Sequence, residues 1–450
     1  MKSKELQSTP YGFIDASRTI RKLFEVCVPK DGIQTGPFGS QLHSSDYVAD
    51  GTPIITVEHL GENIIEGKKP PLVSAEDVKR LIKYTLKEGD IVFSRVGSVD
   101  RRALVSKAQN GWMFSGRLLR VRPEPLLADP RYLSYFFGLP MFKTYIRSIA
   151  VGATMPSLNT GLLSEIPIIL PSISEQRAIS NVLSALDEKI RINSALSKTL
   201  EDIAQTIFKS WFIDFDPVKA KMGVEKPAGM DAETAALFPD SMEESELGLI
   251  PKGWEVRKIE SLCETILGGT PSRAKDAFWN GEIPWINSGK VNDFRITAAS
   301  EYITKLGLEK SATKLLPKGT TVLAITGATL GQFSRLEIDS CANQSVVGIL
   351  GSAEASNEFV YLNIKNGIQR LISAQTGGAQ QHINKEDVNS FLMVYPGETL
   401  MKTFTDIVDD TFKEIGVVLN QSISLAEIRD SLLPRLISGE LQIPEEMLAS

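Results

Sequence analysis

Two long stretches of this chain repeat apolar residues at a helical period, and each follows a segment patterned for short strands. Between 175 and 212, Ile179, Val182, Leu183, Leu186, Ile190, Leu196, Leu200, Ile203, Ile207 and Trp211 recur about every 3.5 residues, along one side of a helix. At an offset of 225 stand Phe404, Ile407, Val408, Thr411, Ile415, Gln421, Leu425, Ile428, Leu432 and Leu436, of which eight are apolar. Ser172 followed by Glu175 is a capping-box signature for the first helix, whereas the second, starting near Thr399, has no equivalent acid. Each helix of about 38 residues would be roughly 57 Å long. An apolar stripe of that length needs covering in water. Pairing the two helices as a parallel or antiparallel coiled coil is the simplest cover; the alternative packs each helix on its own globular segment. Pro434 should bend the second helix near its end, where the first has Lys209.

The strand-patterned segments also match. "LKEGDIVFSRVG" (86–97) returns as "LPKGTTVLAITG" (316–327), an offset of 230, each with a glycine turn leading into β-branched residues. "RKLFEVC" (21–27) returns as "RKIESLC" (257–263), an offset of 236, and "GATMPSLNTGLLSEIPIILP" (152–171) aligns with 377–396 at 225 without a gap. Between these lie a Gly-rich entry, a short apolar strand and a helical pattern in each copy. Offsets falling from 236 to 225 describe one module present twice, differing by small loop insertions. Residues 214–254 between the copies are acidic, hold four prolines and show no sustained period, so they read as a connector.

At 450 residues the chain has room for two or three cores, and its 42% hydrophobic and 23% charged content is that of a globular protein. No apolar run is long enough to span a bilayer, and the first residues lack a signal-peptide core, so a cytoplasmic location is expected. The net charge of −6 is unevenly spread: residues 17–172 hold 20 Lys+Arg against 15 Asp+Glu, residues 214–250 hold 3 against 9, and residues 400–450 hold 4 against 9. A basic first copy in an acidic chain is compatible with nucleic-acid binding, which depends on local cation placement.

Catalytic signatures are missing. Gly289-Lys290 lacks the upstream glycine of a phosphate loop, and no G-x-S-x-G elbow, H-E-x-x-H helix, G-x-G-x-x-G turn or Asn/Asp-Pro-Pro-aromatic methyltransferase signature occurs. Three cysteines and three scattered histidines (His43, His59, His382) form no disulfide framework or metal set, and Cys27 and Cys263 read as buried small residues. Glu88 and Asp90 are the nearest thing to a carboxylate pair on a strand edge, but Thr320 and Thr321 replace the acid in the second copy, so their expected role is turn formation and solubility. The chain is expected to bind and to do no chemistry itself.

Taken together, the "GATMPSLNTGLLSEIPIILPSISEQRAI" run, the long helix, the "FKSWFIDFDPV" exit, the "SELGLIPKGWEVRKI" entry and the second copy resemble the DNA-specificity subunit of Type I restriction-modification systems. The second run, "GGAQQHINKEDVNSFLMVYP", is a degenerate version lacking Glu-Gln. The resemblance implies an α+β fold with two similar DNA-recognition domains in tandem, joined by two long helices in an antiparallel coiled coil. The divisions expected are recognition domains at 1–172 and 251–396, spacer helices at 173–213 and 397–437, the acidic connector at 214–250 and a tail at 438–450. It further implies that each domain reads one half of a split duplex target. Two methyltransferase subunits would dock on the chain and nuclease/translocase subunits would join them, with S-adenosylmethionine and ATP on those partners and no cofactor here. The alternative reading is a non-catalytic scaffold whose domains bind protein or RNA.

Base readout needs amide, guanidinium or hydroxyl groups at loop tips, and phosphate contacts need cations. The Gly-rich loop and the exit of the repeated strand nominate Gln41, His43, Ser44, Arg95, Ser98, Arg101 and Arg102 in the first copy. The matching places nominate Arg273, Lys275, Asn287, Lys290, Thr329, Gln332 and Arg335 in the second. Asn159 and Asn384 are expected to be helix caps, and Trp279 and Trp285 core residues. From the sequence, Arg102→Ala is expected to alter recognition of the first half-site alone.

Overall fold

A computed structural model describes residues 5–39, 41–373 and 383–448. The chain divides into two compact units, one formed by residues 1–190 with 424–450 and the other by residues 191–423. The two long helices, Ile173–Phe212 and Glu398–Ser438, each contribute one part to each unit.

In the first unit a four-stranded antiparallel sheet orders Ile33–Thr35, Leu118–Val121, Ile91–Ser94 and Arg102–Leu104. In the second, the equivalent order is Glu264–Leu267, Val346–Leu350, Thr321–Ala324 and Phe333–Arg335. A further sheet in each unit contains one short parallel pair, Ile54-Ile55 with Met113-Phe114 and Trp285-Ile286 with Cys341-Ala342. Thr19–Lys22 pairs with Pro167–Leu170, and Glu255–Lys258 with Leu392–Tyr395, at registers that preserve the offsets of 236 and 225. The repeated strand is one of the two inner strands of each sheet: all four residues of Ile91–Ser94 and of Thr321–Ala324 are buried. Strands covered on both faces read as continuous apolar runs rather than strict alternation.

The turn before that strand holds a buried ion pair. Asp90 accepts from Lys87 N and also pairs with Arg122; its β-turn role is joined by a structural charge. Ser172 Oγ caps the first long helix by accepting Glu175 N at 3.2 Å, while the Glu175 carboxylate pairs with the buried Arg18 at 2.6 Å. Asn159 and Asn384 cap short helices through their side-chain oxygens. Cys27 and Cys263 are buried in the cores, where burial pushes each thiol up to about 12.

Within each unit the long helices pack together with opposite direction. In the first, Ile179 and Leu183 share a core with Leu433, Leu436 and Ile437, and Arg429 reaches Asp187 at 2.6 Å. In the second, Asn193 Nδ2 donates to Gln421 Oε1 at 2.8 Å, and further along Phe208 and Trp211 meet Phe404 with centroids 6.0 and 5.9 Å apart. Partner numbers fall as residue numbers rise, so the pairing is antiparallel. The periodic stripe is wider than the buried seam, since Leu196, Ile203, Ile407 and Ile428 stay exposed. The helix runs through Pro434 and ends at Ser438.

The connector is not loose chain. Its short helices Asp216–Met222 and Ala232–Ala236 and the hairpin of Met242–Ser245 with Gly248–Pro251 place Phe215, Val218, Phe238 and Ile250 in the second unit's core. No helix among the described residues is long and apolar enough to cross a membrane.

Candidate nucleic-acid interface

The Gly-rich loop of the first unit lies on the turn at 115–117 so closely that a Cβ on Gly36 would meet Ser115 O at 2.1 Å. Only glycine lets the backbones approach this far. The loop, the turn and residues 56–58 enclose an open cavity of about 880 Å³, which Phe38, His43, Ser44, Glu58, Arg101 and Arg117 help to line.

Of the residues nominated from sequence, the structure brings His43, Ser44 and Arg101 to this cavity. His43 and Ser44 are exposed; the backbone N of His43 donates to Asp46 at 2.6 Å, which fixes the loop. Arg101 is exposed and its guanidinium donates to Leu60 O. Ser98 is exposed nearby in sequence, in the turn closed by Arg101 N on Ser98 O. Gln41 is turned to structure: its side-chain oxygen accepts from Phe38 N and from Tyr84 Oη. Arg95 is half-buried, donating to Gly116 O at 3.0 Å and stacked 5.3 Å from the Phe38 ring centroid, so it braces the turn from behind. Arg117, which no sequence argument singled out, is exposed and its side chain has no partner among the described residues.

Two nominated arginines face inward. Arg102 is 3% exposed, with Nε donating to Ser134 O at 2.7 Å and Nη1 to Glu62 at 2.8 Å. Burial lowers its guanidinium pKa, opposed by Glu62. Burial would raise the Glu62 carboxyl, but hydrogen bonds from Arg102 and Lys143 bring it below the usual range. The expectation that Arg102 reads the first half-site is therefore corrected: its side chain fastens a helix to the sheet. Arg102→Ala is now expected to lower stability by about 2 kcal/mol, through a lost buried hydrogen bond and lost packing. Chemical denaturation checks this, and a variant as stable as wild type but with altered sequence preference would reverse the correction. Arg335 is likewise buried, between Glu337 at 2.9 Å and Glu358 at 2.8 Å.

The remaining second-unit residues spread over several loops. Arg273 lies 3.7 Å from the Trp279 centroid and grips Glu301 through two bonds of 2.7 and 2.6 Å. The hydrogen bonds that Arg273 donates to Glu301 raise the Arg273 pKa and lower that of Glu301. Trp285 is buried as expected; Trp279 is only half-buried and carries this stacked arginine. Lys275 is exposed over the Phe278 ring. Asn287 is exposed with Oδ1 accepting Lys290 N, and Lys290 itself pairs with Asp293 at 2.8 Å. Thr329 and Gln332 are half-buried in the turn after the repeated strand. Residues 377–382 of the degenerate run, His382 included, lie outside the described residues. Among the described residues no group of His, Cys, Asp and Glu could hold a metal ion.

A duplicated α+β module, each copy carrying part of an antiparallel helix pair, defines a class of two-domain specificity proteins. Residues 38–202 and 251–410 match the Type I restriction modification DNA specificity domain, and the chain belongs to that family, with two target recognition domains. It is similar to the Type I restriction enzyme HindI specificity subunit of Haemophilus influenzae, 28% identical over 416 residues, covering 82% of this chain and 90% of the relative. The MjaIX specificity subunit of Methanocaldococcus jannaschii is 26% identical over 318 residues, 70% of this chain and 69% of the relative. In fold it resembles the crystal structure of the Type-I restriction-modification system S subunit from M. genitalium, with a TM-score of 0.55 at 16% identity, covering 94% of this chain and 96% of that one. Specificity subunits of these systems are non-catalytic and act in complexes with other subunits and DNA. The missing catalytic signatures agree with that class.

Proposed function

We propose that this chain reads a bipartite duplex DNA target, one half with each recognition domain, and carries two methyltransferase subunits, with nuclease/translocase subunits joining to complete a restriction enzyme in the cytoplasm. The observation that carries the reading is the duplicated specificity domain, each copy followed by one long helix and the two helices packing antiparallel. An antiparallel pair gives its two ends an approximate two-fold relation, the symmetry of a duplex backbone. Because the loops of the two copies differ, the half-sites need not be palindromic, and the helices act as a ruler for the unread base pairs between them. S-adenosylmethionine and ATP belong on the partner subunits, where the catalytic work is done. Apolar side chains left exposed on the helices, including Leu196, Ile203, Ile407 and Val417, offer the partners a surface.

The exposed Arg101 and Lys275 and the half-buried Lys290, with His43, Ser44, Ser98 and Asn287, supply phosphate and base contacts in this reading. The test is binding of the full chain with its co-purifying subunits to duplex DNA across a salt series. Affinity should fall by about a thousandfold or more between 50 and 200 mM salt if six or more phosphates are neutralised. A flat response, or preference for single-stranded RNA or a protein over duplex, would move the chain to the scaffold reading.

A further inference from the structure

Resting on that reading, we propose that the turns at 115–117 and 343–345 are the discriminating readers of the two half-sites, Arg117 taking a guanine in the first and Gln344 an adenine in the second.

The two turns occupy one backbone frame. Leu118 N donates to Ser115 O at 3.0 Å, and Val346 N to Asn343 O at 3.1 Å. The glycine loop is tied to each by Gly36 N on Leu118 O at 3.2 Å and Gly268 N on Val346 O at 2.9 Å. The repeated strand grips each from the other side, Arg95 N on Arg117 O at 2.8 Å and Ile325 N on Ser345 O at 2.9 Å. The neighbouring sheet holds each entry, Ser115 N on Ile55 O at 2.9 Å and Asn343 N on Ile286 O at 3.0 Å. A Cβ on Gly36 or on Gly268 would come within 2.1 Å of a turn carbonyl, so the fit permits no side chain in either copy.

On this shared frame the tips differ in chemistry. The first presents Gly116-Arg117 and the second Gln344-Ser345, at places matched by the offset of 228 between Leu118 and Val346. Arg117 is exposed at the rim of the first unit's cavity, with its guanidinium unengaged among the described residues. Its five donors suit the O6 and N7 acceptors of guanine. Gln344 is also exposed, and Thr270 Oγ1 donates to its Oε1, which orients the amide. An oriented amide offers the acceptor and donor that match N6 and N7 of adenine. Arg95 is a positioning residue for the first turn, through its bond to Gly116 O and its stack on Phe38; Ile325 stands in its place in the second. A rigid frame with interchangeable tips is what base readout requires, because phosphate contacts alone carry no sequence information.

The experiment is selection from a pool of randomised duplexes by the full chain with its co-purifying subunits, for wild type, Arg117→Ala and Gln344→Ala, with thermal denaturation of each. Wild type should select a split motif with guanine in one half and adenine in the other. Arg117→Ala should cost about 5- to 150-fold in discrimination at that guanine and leave the other half intact. Gln344→Ala should do the same at the adenine. Both substitutions sit on exposed turns, so melting should not move. An unchanged motif overturns this inference alone. So does an equal loss on every sequence with a shallower salt slope, which marks a phosphate contact, or a change in the same half for both variants. A wild-type chain that selects no duplex overturns the DNA reading and this inference together.

Discussion

Replacing Glu201 with alanine is expected to destabilise the second unit by about 3–5 kcal/mol, the usual cost of leaving a buried charge without its partner. Glu201 is 3% exposed on the first long helix and gathers three groups of the recognition domain. Arg295 Nη2 approaches at 2.5 Å, Lys365 Nζ at 2.6 Å, and Tyr361 Oη donates to it at 3.0 Å. The Arg295 side chain is fully buried, stacked 4.5 Å from the Tyr361 centroid and 5.5 Å from that of Phe412 on the other long helix. Without Glu201 its nearest remaining carboxylate is Glu337 at 3.6 Å. Four of the five tryptophans (Trp211, Trp254, Trp279 and Trp285) lie in this unit, so fluorescence during urea unfolding reports on it. The paired change Glu201→Leu with Arg295→Met should recover much of the loss, because apolar replacement of a whole buried pair is often neutral. An alanine variant that unfolds at the wild-type urea concentration would show that the cluster contributes little.

The second large effect concerns the proposed ruler. Twenty-one residues, three heptads, inserted into both helices after Arg191 and after Ile423 should lengthen the spacer by about nine base pairs, from about 1.5 Å per helical residue and 3.4 Å per base pair. Nine is close to a full duplex turn of about 10 base pairs, so both domains return to nearly the same face. Whole heptads keep the seam in register on either side, including Asn193 with Gln421. A single heptad, worth about three base pairs, should bind more weakly because it swings one domain around the duplex. Genome-wide mapping of methylated sites reads the spacing directly. An unaltered spacer with intact half-sites would refute the ruler.

Much of the fold was legible because duplication writes the same pattern twice. The offsets of 236 and 225 reappear as strand registers, Lys22 with Pro167 and Lys258 with Leu392. The long helices followed from a period sustained over many turns, which local propensity alone could not have specified. The interface was less legible, for a physical reason. An arginine's role is set by whether a carboxylate or carbonyl waits behind it, and those partners are remote in sequence: Glu62 and Ser134 for Arg102, Glu358 for Arg335. Arg117 escaped notice because it stands just before a strand beside Arg120 and Arg122, and only the fold separates the exposed Arg117 from those two buried arginines. The connector's packing was hidden too, since Phe215, Val218, Phe238 and Ile250 are spaced without any period.

The first unit draws Leu433, Leu436 and Ile437 into its core from far along the chain, whereas the second is built from the continuous stretch 191–423. During synthesis the order of completion is therefore reversed. The ribosome finishes everything the second unit needs first, while the N-terminal unit waits on the order of tens of seconds, at about 5–20 residues per second, for the segment that closes it. Throughout that interval Ile179 and Leu183 lack the C-terminal helix that completes their core, so the nascent N-terminal half leaves part of its apolar helix face uncovered.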